Sequence, residues 1–319
     1  MASRRSRRKK KGGSKVLLAI GAVALIAGGA GLYQYVIGPM LQKSAEAGDN
    51  SLAGILDMPG DDNTGGDAAS EPTVKLSQIE DMLTEVSTAL AVAEGVEREK
   101  ALRAGYSKLS PLLTGPLPVE ERLRAIDVFH RITDELFMGS IHNEFSGNYV
   151  VKGGDDFGKI AARVGIGLNM LYDMNGIPRG TTILHPGDNL KVPPGKPRIE
   201  VRKRDYCASL YFGKHLVRQY IVAHGKNNNT PLGKTSVSTM TVNPELTSRG
   251  ANDPVNEMKL RWIGLSEYAG GRTGFGFHGT QHPESIPGMS SRGCIRMHDG
   301  DVVELYDVVR EGTPVEIKA

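Results

Sequence analysis

Hydrophobic and polar positions follow four different rhythms along the 319 residues. From Val16 to Tyr33 the chain is apolar, with no charged residue until Lys43. About 20 such residues cross a bilayer as a helix, so residues 16–41 are predicted to form a transmembrane helix. Residues 42–76 lose this character: Gly60-Asp61-Asp62-Asn63-Thr64-Gly65-Gly66-Asp67 carries no periodicity and buries too little apolar surface to offset ordering. That composition predicts a flexible linker. Over 77–140 the apolar step becomes three to four. Ile79, Met82, Leu83, Val86 and Leu90 follow a Ser77-x-x-Glu80 capping-box pattern. A second run covers Val96 to Leu113, and Pro118 opens a third with Leu123, Ile126, Phe129, Ile132 and Leu136 on one face. A small helical module is expected, with these stripes as its own core.

Two further rhythms follow. Between 147 and 194 the pattern reads strand, two short helices and closing strand, through Tyr149-Val150-Val151, Phe157-Ile160-Ala161, Leu171 and Leu190-Lys191-Val192-Pro193. From 198 to 318 a two-residue step appears at Ile199 and Val201, then Ala208, Leu210 and Phe212, then Val217 with Tyr220-Ile221-Val222. Ser236 to Val242 reads as another strand, Asp301 to Val309 as a helix and Pro314 to Ile317 as a closing strand. The expected fold class is therefore multi-domain α+β.

Charge separates the ends of the chain. Residues 1–15 hold eight Lys and Arg and no acid; the other 31 of the 39 basic residues face 36 acidic ones. A mildly acidic body gives no basic face for phosphates, which argues against a nucleic-acid partner. The basic tail before an apolar segment predicts a cytoplasmic N-terminus, hence a single-pass protein of the cell membrane with its later domains in the periplasm or cell-wall space. Ala45-Glu46-Ala47 has the small-x-small form of a signal-peptidase site, and a basic run can also be a nucleic-acid tail. The retained anchor is preferred because the apolar stretch is long for a secretory segment.

The candidate chemistry lies in Gly276-Phe277-His278-Gly279-Thr280 and Ser290-Ser291-Arg292-Gly293-Cys294-Ile295-Arg296-Met297. Cys294 is one of two cysteines, set in a Ser/Gly-rich turn after a histidine that glycine follows. A lone cysteine is usually a small buried hydrophobe. Here an imidazole is at hand to generate thiolate, and small neighbours let backbone N–H groups approach a developing oxyanion. A disulfide between Cys207 and Cys294 would consume that thiol, so Cys207 is read as a small strand residue. The histidine closely precedes the cysteine, which argues against a simple papain-like reading.

These motifs resemble the signature of the YkuD-type L,D-transpeptidase catalytic domain, over 198–318, including a Thr-Pro-x-Gly loop at Thr230 to Gly233. Gly147 to Pro194 resembles a LysM domain, a βααβ module that binds N-acetylglucosamine-containing glycans. The resemblance implies a mainly-β scaffold with His278 at a strand end and Cys294 on the turn before a helix. It implies Cys294 as nucleophile, His278 as base, and the N–H of Cys294 with that of Gly293 or Arg292 as oxyanion hole. Gly279 follows the base; Ser291 either holds the turn or bonds near the base. Arg292 replaces the family's usual histidine. Arg296 either binds a substrate carboxylate or pairs with Asp299 or Asp301. Trp262, Tyr268 and Thr280 are candidate pocket residues, with packing the commoner role for a Trp on a short apolar run. The glycan groove would lie between 153–157 and 175–181.

The implied reaction is acyl transfer from a tetrapeptide stem of peptidoglycan, with release of D-alanine and a 3→3 cross-link, and with no cofactor. Water as acceptor would make an L,D-carboxypeptidase. Two other classes remain: a metal site from His278, His282, Cys294 and His298, where Gly279 and Pro283 disfavour the helix that His-x-x-x-His spacing would need, and a non-catalytic tether between membrane and wall.

Overall fold

The computed structural model describes residues 76–245, 256, 258, 260–268 and 271–319. The predicted basic tail, the membrane helix at 16–41 and the linker lie outside these residues. Among the described residues no helix is long and apolar enough to cross a membrane.

Three helices come first: α1 (Leu76–Val92), α2 (Gly95–Thr114) and α3 (Val119–Thr133), the last running into a π-helical turn Asp134–Met138. Ser77 lies inside α1, so it is not the cap that its capping-box pattern suggested. Pro118 does precede α3, with Glu120 and Glu121 in the first turn and Arg131 in the last, which suits the helix dipole.

The next unit is a βααβ module made of β1 (Gly147–Val150), α4 (Phe157–Val164), α5 (Leu168–Asp173) and β2 (Asn189–Val192). Its two strands pair antiparallel from Gly147↔Val192 to Val150↔Asn189. Asp156 caps α4 by accepting the Lys159 N–H, and Gly165 ends it in the left-handed region at φ 87°. The Asn175 amide bonds Leu171 O and Lys191 O and accepts the Lys191 N–H, so it locks the module internally and does not face the expected groove.

The rest is a ten-stranded sheet with one helix: β3 (Pro197–Arg202), β4 (Cys207–Phe212), β5 (His215–Ile221), β6 (Ala223–Gly225), β7 (Gly233–Val242), β8 (Arg261–Leu265), β9 (Gly276–His278), β10 (Gly288–Ser291), β11 (Ile295–Arg296), α6 (Asp299–Val308) and β12 (Pro314–Lys318). The strand order is β10-β6-β11-β9-β8-β7-β12-β3-β4-β5. Whereas β3 alternates buried and half-buried residues, every residue of β4 is buried, and all of β5 after His215. Strands covered on both faces lose the two-residue rhythm.

The second cover is the helical layer, whose apolar surface is not only its own core. Tyr106 Oη donates to Leu216 O at 3.2 Å, Arg122 reaches Gln219 Oε1 at 2.7 Å, and the rings of Tyr106, Phe129, Phe137, Phe145 and His215 cluster across the joint. Arg218 on β5, 2 % exposed, donates Nε to Glu304 of α6 at 2.8 Å and its other nitrogens to Thr133 and Asp134. Although burial opposes ionisation of Glu304, Arg218 holds its carboxyl below the usual range. Removing Glu304 would leave the buried Arg218 guanidinium with only the more exposed Asp134 as its ion-pair partner.

The βααβ module is also fastened to the sheet. Gly167 N–H donates to Val308 O at 2.8 Å, and Asn169 bonds Asp307 at 2.9 Å. A Cβ on Gly167 would stand 2.2 Å from Asp307 O, so only glycine permits this approach of α5 to the end of α6. On the module's other side Lys191, fully buried, donates to Gly139 O and Ile141 O, and burial brings its ammonium down to about 8.

Candidate active site

β9 and β11 run side by side and parallel, with Ile295 opposite Phe277 and Arg296 opposite His278. The pairing continues past the strand ends, where Met297 N–H donates to His278 O at 2.9 Å. Cys294 directly precedes Ile295, two positions before the partner of His278. Cys294 sits in the bend one step of about 3.8 Å before Ile295, which brings its Cα within roughly 10 Å of that of His278.

His278 is buried at 4 % exposure, and its Nδ1 lies 2.6 Å from Gly279 O. A carbonyl can only accept, so this contact makes Nδ1 the protonated nitrogen and leaves Nε2 as the basic one. Trp262, half-exposed on β8, is the cross-strand partner of His278 and stacks on its ring, centroids 6.1 Å apart at 29°. Room for the indole comes from two glycines: a Cβ on Gly276 would stand 2.6 Å from Trp262 Cη2, and one on Gly264 2.7 Å from its Nε1. Trp262 thus packs directly beside the imidazole.

The cysteine turn is tightly held. Cys294 is partly exposed and Cys207 buried on β4; both are free thiols. Cys294 lies between β10 and β11, so a short strand separates it from α6, where the sequence had suggested a turn leading directly into the helix. Ser291, 3 % exposed, accepts the Gly293 N–H at 3.0 Å and donates to Cys294 O at 2.6 Å. It holds the turn, and it engages the Gly293 N–H, one of the two amides expected to join that of Cys294 in an oxyanion hole. Gly293 itself has φ 143°, and a Cβ there would stand 2.5 Å from Phe275 Cε1.

A second loop buttresses this turn, and sequence reasoning had assigned it no part in the site. Asn229 donates to Arg292 O; Thr230, 1 % exposed, donates to Gly293 O at 2.7 Å and accepts the Gly225 N–H at 2.8 Å. Arg272 holds Asn229 through its backbone and side-chain oxygens, and Lys203 donates to Asn228 O and Thr230 O. The Asn-Asn-Asn-Thr-Pro run was the visible signal.

The remaining candidates divide. Arg296 is 8 % exposed on β11 beside His278, whereas Arg292 is exposed. Thr280 donates its N–H to Asp299 and accepts the His282 N–H, which makes it a turn residue. Tyr268, 3 % exposed, packs edge-on against Phe275 at 5.8 Å. His282 Nδ1 sits 3.0 Å from Glu284 Oε1, and burial lowers the His298 imidazole. Among the described residues no group of three His, Cys, Asp or Glu is arranged to hold a metal ion, so the four residues of the metal reading do not assemble.

Comparison with known proteins accords with this geometry. Residues 196–317 match the L,D-transpeptidase catalytic domain, YkuD, and residues 149–193 match the LysM domain. YqjB of Bacillus subtilis (strain 168), provisionally named an L,D-transpeptidase, is 35 % identical over 127 residues, which cover 39 % of this chain and 72 % of that one. YkuD of the same organism, named likewise, is 32 % identical over 177 residues, 53 % of this chain and 97 % of that one. The chain belongs to the YkuD-type L,D-transpeptidase family. A solved structure, the catalytic domain of the E. faecium L,D-transpeptidase, aligns at 24 % identity and TM-score 0.30, covering 38 % of this chain and 96 % of that chain. In this L,D-transpeptidase family member the LysM module precedes the YkuD domain directly, with Pro193 to Lys196 between β2 and β3.

Proposed function

We propose that the protein is a peptidoglycan L,D-transpeptidase working through a cysteine acyl-enzyme. The observation that supports this reading is the pairing of β11, which directly follows Cys294, with β9, which ends in a histidine whose Nδ1 lies against Gly279 O. His278 Nε2 takes the thiol proton, and the Cys294 sulfur attacks the carbonyl at position 3 of a tetrapeptide stem. The carbonyl π pair moves to oxygen, where backbone N–H stabilises it. As the C=O re-forms, the C–N bond to the terminal D-alanine breaks and its amine takes the proton from His278. A side-chain amine of a second stem then attacks the thioester, giving a 3→3 cross-link and restoring the thiol. Arg296, buried beside His278, suits the carboxylate of the donor stem through its planar fork.

The LysM module is consistent with glycan strands as the surroundings and raises the local concentration of stems. The basic tail and apolar segment of the N-terminus support a single-pass anchor that leaves these domains on the wall side. The test is mass spectrometry of disaccharide-tetrapeptides incubated with the protein. Loss of D-alanine together with dimers is expected, and both vanish in Cys294→Ala. Turnover that persists in Cys294→Ala refutes the acyl-enzyme; hydrolysis without dimers makes the enzyme a carboxypeptidase.

A further inference from the structure

Three successive carbonyls of the cysteine turn are each held by a side chain: Arg292 O by Asn229, Gly293 O by Thr230 and Cys294 O by Ser291. The middle one bears on the chemistry. A trans peptide is planar with its C=O and N–H pointing in opposite directions, so the direction of Gly293 O fixes that of the Cys294 N–H. Thr230 draws Gly293 O towards the Lys226–Thr230 loop, which aims the Cys294 N–H away from that loop. The neighbouring Gly293 N–H is turned towards Ser291. Of these two amides, only that of Cys294 points neither at Ser291 nor at the loop.

We propose that Thr230 is a positioning residue which, by holding Gly293 O, aims the Cys294 N–H at the oxygen of the carbonyl that the thiolate attacks. The proposal rests on Cys294 acting as an acylated nucleophile, and it adds to that reading a residue that touches neither substrate nor thiol. The anchorage is built to be stiff. Thr230 is 1 % exposed, its hydroxyl accepts the Gly225 N–H while donating to Gly293 O, and Lys203 grips its carbonyl at 2.8 Å. Gly225 allows the approach, since a Cβ there would stand 2.8 Å from Gly293 Cα. A donor fixed before the reaction stabilises a developing charge without reorganising, and loss of one such donor slows an acyl transfer by about 10²–10³.

Two reactions of the same sulfur separate this role from mere support of the fold. With p-nitrophenyl acetate the thiolate forms an S–C bond, the π pair moves to the carbonyl oxygen, and p-nitrophenolate leaves as the C=O re-forms; an oxyanion is stabilised. With iodoacetamide the sulfur displaces iodide at a saturated carbon, and no oxyanion arises. In Thr230→Val, which keeps shape but loses the hydroxyl, acylation should fall about tenfold to a hundredfold while alkylation stays within about twofold. Thr230→Ser should restore acylation. If Thr230→Val does not fold, as judged by circular dichroism, the same ratio is read in Thr230→Ala. Equal loss of both reactions, or no loss of acylation, overturns the proposal, as does a parent protein that p-nitrophenyl acetate does not acylate at Cys294. A parent that is acylated by the ester but inert towards tetrapeptide stems would refute the peptidoglycan reading and leave this one standing.

Discussion

Gly293→Ala tests the cysteine turn most directly, because two separable costs meet at one atom. The residue has φ 143°, outside the ordinary range of L residues, which costs about 1–3 kcal/mol. The added methyl would stand 2.5 Å from Phe275 Cε1 and 3.0 Å from Cδ1, about 1 Å inside a normal carbon contact. Relief requires the ring to leave its edge contact with Tyr268 and its place under Arg272, 5.2 Å away, at a cost of about 1–3 kcal/mol. The sum is roughly 2–6 kcal/mol. Urea unfolding of the parent, Gly293→Ala, Phe275→Ala and the double variant gives the partition. In the double variant the clash is gone and the backbone cost stays, so coupling of about 1–3 kcal/mol is expected in the stabilising direction. Gly293→Ala should also lose most acyl transfer, since the Cys294 amide shifts with it. A variant within about 0.5 kcal/mol of the parent, or a cycle without coupling, would refute both the strain and the contact.

Gly167→Ala should separate the LysM module from α6, because its methyl would stand 2.2 Å from Asp307 O; limited proteolysis near Pro193 to Lys196 should quicken, while turnover of soluble stems is retained and that of intact wall falls. Burial, with Arg218 adding to it, lowers His130 to about 3, so the folded protein resists protonation there: its contribution is full above pH 6.5 and is lost as pH falls towards 3. Compared with His130→Gln, the parent should lose on the order of 2–4 kcal/mol more over that range, measured by denaturation at each pH. Trp262→Ala should slow acylation about twofold to tenfold, matching a ring stack of 0.5–1.5 kcal/mol, and Trp262→Phe should recover part of it in stopped-flow traces.

Residues with a local pattern were legible in the sequence. The strands around Ile199, Leu210 and Val217 and the βααβ order follow from patterns within a few dozen residues. The docking of α1–α3 was not legible, since it depends on polar residues far apart in the chain: Arg122 with Gln219, and Arg218 with Asp134 and Glu304. Nothing near Arg218 announces that β5 is buried on both faces. The stack of Trp262 on His278 is set by the register of β8 against β9, which apolar spacing does not encode. β11 has two residues, too few for any periodicity, so the strand between Cys294 and the helix went unread. The hydroxyls of Ser291 and Thr230 look alike in sequence to any turn residue, and only their partners reveal which carbonyls they hold.

The contact of Gly167 with Val308 also gives the LysM module a second point of attachment, beyond the short connection to β3. A domain joined by one flexible linker sweeps a volume, and its cargo samples every distance within reach. A domain pinned at two points cannot swivel about a linker, so the distance and direction from the βααβ module to Cys294 are set by the fold. Under the function proposed above, such a fixed vector would work as a gauge, favouring stems at one offset from a bound sugar.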